Sequence, residues 1–235
     1  MAETRLRVSR DRVLRAAVSL ADAEGIDSVS MRRVAAELGV VPMALYKHVS
    51  DKDDLLGGMI DLLIAEYGET PAATDWRTAV RTRILAARSV LVRHPWARAV
   101  IETRRTRTAA VLGYLNEMTG LFLDGGFSAD LTHHAMHALG HRVWGFSPEA
   151  FDDPDALPVP EDPDERAQMI EYVRATYPHI LTVALYSAGD DVAGGRCDED
   201  FEFSFTLDLL LDAFERLRDA GWSSRPQRAS SPLRR

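Results

Sequence analysis

The sequence predicts an all-α fold in which a three-helix head precedes a larger helical body. Apolar residues return at three- and four-residue spacing through most of the chain, the period of one helix face. The intervals between these stretches carry glycine, proline or a Ser, Thr or Asp suited to a helix start. Residues 201–209, Phe-Glu-Phe-Ser-Phe-Thr-Leu-Asp-Leu, alternate like a strand, but no partner strand is apparent. Phe203, Leu207, Leu210, Leu211, Phe214 and Leu217 keep helical spacing farther along, so the segment is assigned to a helix.

In the head, Val13, Ala17, Leu20 and Ala21 follow Ser9 and predict an amphipathic helix over 9–24, stopped by Gly25. Ser30 is placed to cap a second helix, Met31–Leu38, with Val34, Ala35 and Leu38 inward and Gly39 past its end. Pro42 suits the first turn of a third helix, about 41–48, because its missing N–H would be unpaired there anyway. Ser50-Asp-Lys-Asp reads as a capping box with Asp for Glu, and opens a fourth helix running to about Tyr67. Gly57-Gly58 inside it costs about 1 kcal/mol per glycine relative to alanine, which points to close packing or a bend.

The body contains no repeated unit and continues as helices over Trp76–Arg93, Trp96 to about Glu102, Arg104–Leu123, Ser128–Phe146, Pro163–Ser187 and Asp198–Ala220. Thr-Pro-Ala-Ala-Thr-Asp, His94-Pro95, Gly125-Gly126 and Gly194-Gly195 separate them, and Pro148–Glu165, with five prolines and eight acids, reads as a mobile loop. Domain boundaries are expected at 1–58, 59–222 and a basic, disordered tail over 223–235. The apolar face of the last helix is wider than one neighbour can cover, so it and the helix over 128–146 are expected to pair with a second copy.

Composition narrows the function classes. The longest uncharged run, Ala175–Gly189, has fifteen residues and contains Pro178, too short to span a membrane. No apolar segment follows the charged N-terminus, and Cys197 is the sole cysteine, so the expectation is a cytoplasmic chain without an intrachain disulfide. The net charge of -8 conceals a split: residues 1–50 hold eight Arg and Lys against six Asp and Glu, leaving -10 for the remainder. A locally basic head on an acidic body fits contact with phosphate at one end only.

Short packed helices joined by a glycine-containing turn form a helix-turn-helix pattern. The third helix is too short to be stable alone, so its neighbours must hold it. Val41, Leu45 and Val49 fall on one side of it, whereas Pro42, Met43, Tyr46 and Lys47 fall on the other. That second side carries a hydroxyl-bearing ring, a cation and an apolar side chain, groups suited to phosphate, sugar and thymine methyl.

The segments Val-Leu-Arg-Ala-Ala-Val-Ser-Leu-Ala-Asp-Ala-Glu-Gly, Ser-Met-Arg-Arg-Val-Ala-Ala-Glu-Leu-Gly-Val and Ala-Leu-Tyr-Lys-His-Val-Ser-Asp-Lys-Asp-Asp-Leu-Leu closely resemble the tetracycline-repressor (TetR) family of bacterial regulators over about 9–60. Leu-Val-Arg-His-Pro-Trp, Thr103-Arg104, Asp-Gly-Gly-Phe-Ser and Leu139-Gly-His-Arg-Val-Trp-Gly-Phe extend a weaker resemblance into the body. The resemblance implies a homodimer, double-stranded operator DNA with two-fold symmetry, and a small-molecule inducer held in the larger domain. It places Pro42, Met43, Tyr46 and Lys47 in the major groove, Arg32 at a base-reading position, and Ser30, His48 and Lys52 at phosphates. Val41 stands where many relatives have serine, so the third helix lacks a side-chain cap.

For the ligand, the resemblance points to Trp96, Arg104, Leu112, Leu115, Met118, His141, Trp144 and Phe146. The histidines through which the tetracycline repressor holds its metal-drug complex have no counterparts near Tyr67 or between 95 and 132. An anionic or carbonyl-bearing lipophilic inducer anchored by Arg104 is expected instead. A buried guanidinium would need an anionic partner. His133, His137 and His141 share a helix face, but no His-Glu-x-x-His arrangement or neighbouring thiol accompanies them, and no metal or cofactor is assigned. A glycine-rich phosphate loop and a Gly-x-Ser-x-Gly elbow are both missing, which argues against an enzyme. The rival reading is a helical small-molecule sequestering protein with a vestigial DNA head.

Overall fold

The computed structural model describes residues 8–69, 75–104, 106–144, 160, 162–182 and 198–225, with the backbone alone at 141–144. All regular structure among them is helical. Helix α1 (Arg10–Glu24) begins where Ser9 accepts the Arg12 N–H at 3.3 Å and ends at Gly25, whose φ of +81° suits glycine. After a single turn over Ile26–Ser28, α2 (Met31–Glu37) starts with Ser30 accepting from the Arg33 N–H at 3.2 Å.

The expected third helix winds more tightly than an α-helix, as a 3-10 segment over Pro42–Lys47 with no side-chain cap at Val41. In so short a segment, i to i+3 bonds such as His48 N–H to Leu45 O, 2.8 Å, satisfy backbone groups that an α-turn would leave open. Leu45 and Val49 are fully buried, as their spacing predicts. Val41 is not: it sits in the extended residue preceding the segment and is 67% exposed, which corrects its assignment to the inner face.

Helix α3 (Lys52–Ala65) is capped by Asp51, one residue later than expected, through the Asp54 N–H at 2.8 Å. Both of its glycines mark close approach. A Cβ at Gly58 would lie 2.6 Å from a Leu14 methyl, so α1 and α3 meet without a side chain between them.

The body continues with α4 (Trp76–Arg93), α5 (Trp96–Thr103), α6 (Ala109–Asp124), α7 (Ala129–Trp144), α8 (Pro163–Thr176) and α9 (Glu199–Asp219). Helix α6 starts five residues later than expected, because Thr108 caps it and Arg104 is extended. Helix α8 stops at Thr176 and not at 187: Tyr177 leaves the helical region ahead of Pro178, which disfavours α geometry in its predecessor, and helix resumes over 178–182. The turn at 70–74, most of the acidic loop, Gly194-Gly195 and Cys197 lie outside the described residues, as does 226–235 of the expected tail. Ser223 and Ser224, its first residues, donate to the Asp130 carboxylate at 2.7–2.9 Å and hold this part of the chain on α7.

Contacts divide the chain into two compact units, 1–145 with 208–235, and 146–207. In the first, Trp76, Phe122, Phe127 and Phe214 join α4, α6 and α9 by ring contacts of 4.6–6.1 Å. Gly125 lets the backbone pass this cluster, since a Cβ there would stand 2.7 Å from Trp76 Cβ. Arg81 binds Asp208 at 2.8 Å and Arg77 pairs with Asp212, tying α4 along α9. Along α9 the spacing separates two faces: Phe203, Leu207, Leu211 and Phe214 are buried, whereas Phe201, Phe205 and Leu209 are 50–62% exposed. Phe214, expected at a subunit contact, thus belongs to this chain's own interior. No helix among the described residues is long and apolar enough to cross a membrane.

Candidate nucleic-acid interface and ligand cavity

The 3-10 segment turns Pro42, Met43, Tyr46 and Lys47 outward, with Met43 71% and Tyr46 47% exposed, while Leu45 anchors it below. Arg32, Lys47 and Lys52 are exposed, and their side chains form no ion pair or hydrogen bond among the described residues. Neighbouring arginines differ: Arg33 is held by Glu24 and Arg15 by Asp11 at 2.9 Å. The head thus presents three cations that can meet phosphate or a base edge without first giving up a protein carboxylate. Ser30 spends its hydroxyl oxygen on the α2 cap, and His48 is half-buried beside the surface.

What holds this surface is a carboxylate. Asp54 receives Arg10 through both guanidinium nitrogens, at 2.6 and 3.1 Å, and the Ser50 N–H at 2.8 Å. Arg10 also donates to the His48 carbonyl at 2.7 Å, closing the end of the 3-10 segment onto α1 and α3 together. The Arg10 hydrogen bond, with the Ser50 N–H beside it, holds the Asp54 carboxyl down to about 2.

Two further contacts join the head to the body. Asp22 on α1 accepts the Trp96 indole N–H at 2.6 Å and faces His94 Nδ1 at 2.7 Å. Trp96 is therefore a tie between α1 and α5, and it is not in the lining of the cavities described below, where its sequence assignment would have put it. Arg104, with its side chain only 12% exposed, has the anionic partner its burial requires in Asp53 of α3, at 3.1 Å, and donates also to the Asp53 main-chain oxygen. The guanidinium lies across Gly57, where a Cβ would come within 3.0 Å of it. The first of the paired glycines thus makes room for an arginine.

A cavity of about 320 Å³ opens between α3, α5 and α6, with Arg104 at its rim. Ile60, Ile64, Val111 and Leu115 give it apolar walls, and Tyr67 and Tyr114 close one end with ring centroids 5.3 Å apart, edge to face. Burial pushes the Tyr67 hydroxyl well above the ordinary phenol range and the Tyr114 hydroxyl to about 12. Behind them Arg83, 5% exposed, donates to the Tyr67 and Gly68 carbonyls and to Glu117 at 2.7 Å, and lies over the Tyr114 ring at 5.3 Å. A smaller space of about 50 Å³ follows, lined by Leu115 and Met118.

Of the sequence-selected ligand residues, Arg104, Leu115 and Met118 come to these cavities. Leu112 is 52% exposed and lines none of them, because α6 turns it away from Tyr114 and Leu115. The side chains of His141 and Trp144, and all of Phe146, lie outside the described residues. Sequence reasoning passed over Tyr67, Tyr114, Arg83 and Arg107; Tyr114 lies one turn before Met118 on the same face of α6, which is the signal that would have found it. The His133 and His137 rings meet edge to face at 4.6 Å, and among the described residues no three His, Cys, Asp or Glu side chains gather into a metal site.

Two family models match the chain: bacterial regulatory proteins, tetR family, over residues 13–59, and tetracyclin repressor-like, C-terminal domain, over residues 70–217. The HTH-type transcriptional repressor DrrR1 of Streptomyces coeruleorubidus is 43% identical over 216 residues, covering 88% of this chain and 77% of that protein. Tetracycline repressor protein class D of Escherichia coli is 30% identical over 216 residues, covering 89% and 90%. Among solved structures, ActR of Streptomyces coelicolor in complex with actinorhodin superposes with a TM-score of 0.65 at 21% identity, covering 89% of this chain and 96% of that one.

The depressed Asp54 carboxyl sets a pH window. A group held near 2 against an unfolded value of about 4 contributes stability that is complete above about pH 4 and lost as pH falls toward 2. Denaturant midpoints of the wild type and Asp54→Asn should therefore differ at neutral pH and converge over that interval. A gap that persists unchanged into the acid range would contradict the assignment.

Proposed function

The chain belongs to the tetR family of bacterial regulatory proteins and is a DNA-binding transcriptional regulator rather than an enzyme, and on that premise we propose a repressor that binds a two-fold symmetric operator as a homodimer and is released by a small molecule. The observation that carries the reading is the combination of an outward Tyr46-Lys47 surface with three unpaired head cations, linked through α3 to an apolar cavity. We assign 1–58 to the DNA-binding head and 59–222 to ligand binding and dimerisation.

Met43, Tyr46 and Lys47 enter the major groove with Pro42 at the leading edge, and Arg32 reads a base from the start of α2. Ser30, His48 and Lys52 flank the phosphates. In a dimer, two such surfaces about 34 Å apart would meet successive major grooves on one DNA face. The exposed stripe of Phe201, Phe205 and Leu209 supports α9 as a pairing helix, since large apolar side chains at i, i+4 and i+8 rarely stay in water.

A ligand in the cavity acts on operator binding only if it favours one arrangement of the head over another. The cavity offers such a route. Its rim residue Arg104 grips the first turn of α3, and Tyr67, just past the other end of α3, forms its wall. Filling the space presses on both ends of the helix that supports the reading surface. Arg104 is in this reading a coupling residue, not the inducer's anchor, because its guanidinium is already engaged by Asp53.

Fluorescence anisotropy on operator duplexes selected from random DNA tests the DNA assignment. Lys47→Ala should weaken all duplexes alike and lower the salt slope by about one, whereas Arg32→Ala should relax sequence preference. Undiminished affinity in a Tyr46→Ala, Lys47→Ala double variant would refute it. For the subunit contact, Phe205→Asp with Leu209→Asp should convert dimers to monomers in sedimentation equilibrium while retaining helical circular dichroism. A dimer of unchanged affinity would exclude α9 from the interface.

A further inference from the structure

Two cavities in the first unit meet at one arginine. The 320 Å³ space and a wider, more open one of about 530 Å³ between α6 and α7 share Arg107 and Leu115 in their walls. Arg107 is exposed and, among the described residues, forms no ion pair or hydrogen bond. Arg104, the other cation at the narrower cavity, is neutralised by Asp53. Occupying Arg107 therefore displaces no protein carboxylate.

The same walls hold hydroxyls that lack partners. Tyr67 and Tyr114 are 3% and 9% exposed, and neither hydroxyl is hydrogen-bonded among the described residues. Thr132, 3% exposed in the wall of the wider cavity, has a buried Oγ1 without a partner. The two phenol oxygens are not closed over by protein, so acceptor atoms of a molecule in the narrower cavity can reach them, whereas Thr132 Oγ1 is sealed from the wider one. Burial keeps both phenols protonated through the physiological range, and each therefore has an O–H to donate.

We propose that the inducer is an aromatic acid whose ring body, bearing carbonyl oxygens, lies against Tyr67 and Tyr114, and whose carboxylate pairs with Arg107, which borders both cavities. This assignment rests on the reading of the chain as a ligand-released repressor. The lining of the narrower cavity accounts for the ring body: apolar side walls from Ile64, Val111 and Leu115 favour a water-avoiding molecule, and the tyrosine end supplies ring faces and donors to its oxygens. The planar guanidinium of Arg107 matches a carboxylate through two parallel hydrogen bonds. Substituents beyond the carboxylate have room in the wider cavity beside Thr132 and His133.

The test is calorimetry on the full chain with two probes of identical ring system, a dihydroxyanthraquinone carboxylic acid and its hydroxymethyl analogue, paired with operator release by each. The wild type should bind the acid about tenfold more tightly, the difference expected for a hydrogen bond to a charged group. Arg107→Gln should abolish that preference without weakening the hydroxymethyl probe, and Arg15→Gln, which removes an equal charge from α1, should leave it intact. Tyr67→Phe with Tyr114→Phe should weaken both probes alike. A preference that is absent, or that survives Arg107→Gln, overturns the role of Arg107, and failure of both probes to bind overturns the ligand class. If the hydroxymethyl probe releases operator while the acid shows no advantage, ligand release stands and the Arg107 assignment alone falls; tight binding of both probes to an operator-bound protein that never releases DNA contradicts ligand release itself.

Discussion

A six-residue 3-10 segment has too few hydrogen bonds to hold itself, and that constraint organises the head. Leu45 and Val49 bury its inner side, but apolar contact alone does not fix which way Tyr46 and Lys47 point. The orientation comes from Arg10, which reaches from α1 to the His48 carbonyl and the Asp54 carboxylate together. Gly58 allows the two helices bearing those groups to approach closely enough for the bridge. Three polar contacts and one missing side chain thereby make a rigid surface from a segment unstable by itself.

The same helix that supports the reader borders the ligand cavity. Arg104 holds the first turn of α3 and Arg83 takes the carbonyls just beyond its last turn, so both ends are bound to groups around the cavity. Asp22 adds a second tie, through Trp96 and His94, between α1 and the corner joining α4 and α5. A vestigial head on a sequestering protein would have no need for exposed, unpaired cations beside an outward tyrosine, or for this linkage to the cavity. Those features favour the regulator over the rival drawn from sequence.

Helix positions were largely legible in the sequence because they depend on local signals. Ser9, Ser30, Gly25 and Gly39 mark the head as expected, and Trp76–Arg93 matches without adjustment. The misplacements have local causes that outweighed periodicity: a capping threonine at 108, a proline at 178, and an extended Val41. Partners across long stretches of chain were not legible. Asp53 and Arg104 lie 51 residues apart and Asp22 and Trp96 lie 74 apart, and helical spacing says which face a residue occupies but not what meets it. For this reason Asp53 was not identified as the anionic partner of Arg104, Trp96 read as a cavity wall, and the pairing of Tyr67 with Tyr114 went unseen.

The central claim is that the Asp53–Arg104 contact transmits the state of the cavity to the DNA-reading surface. A double-mutant cycle on operator affinity, with Asp53→Ala, Arg104→Ala and the pair, measures this without any ligand. Effects that fall short of additivity by about 1 kcal/mol or more, roughly fivefold in affinity, are the predicted result. Strictly additive effects, or single variants with wild-type operator affinity, would contradict it.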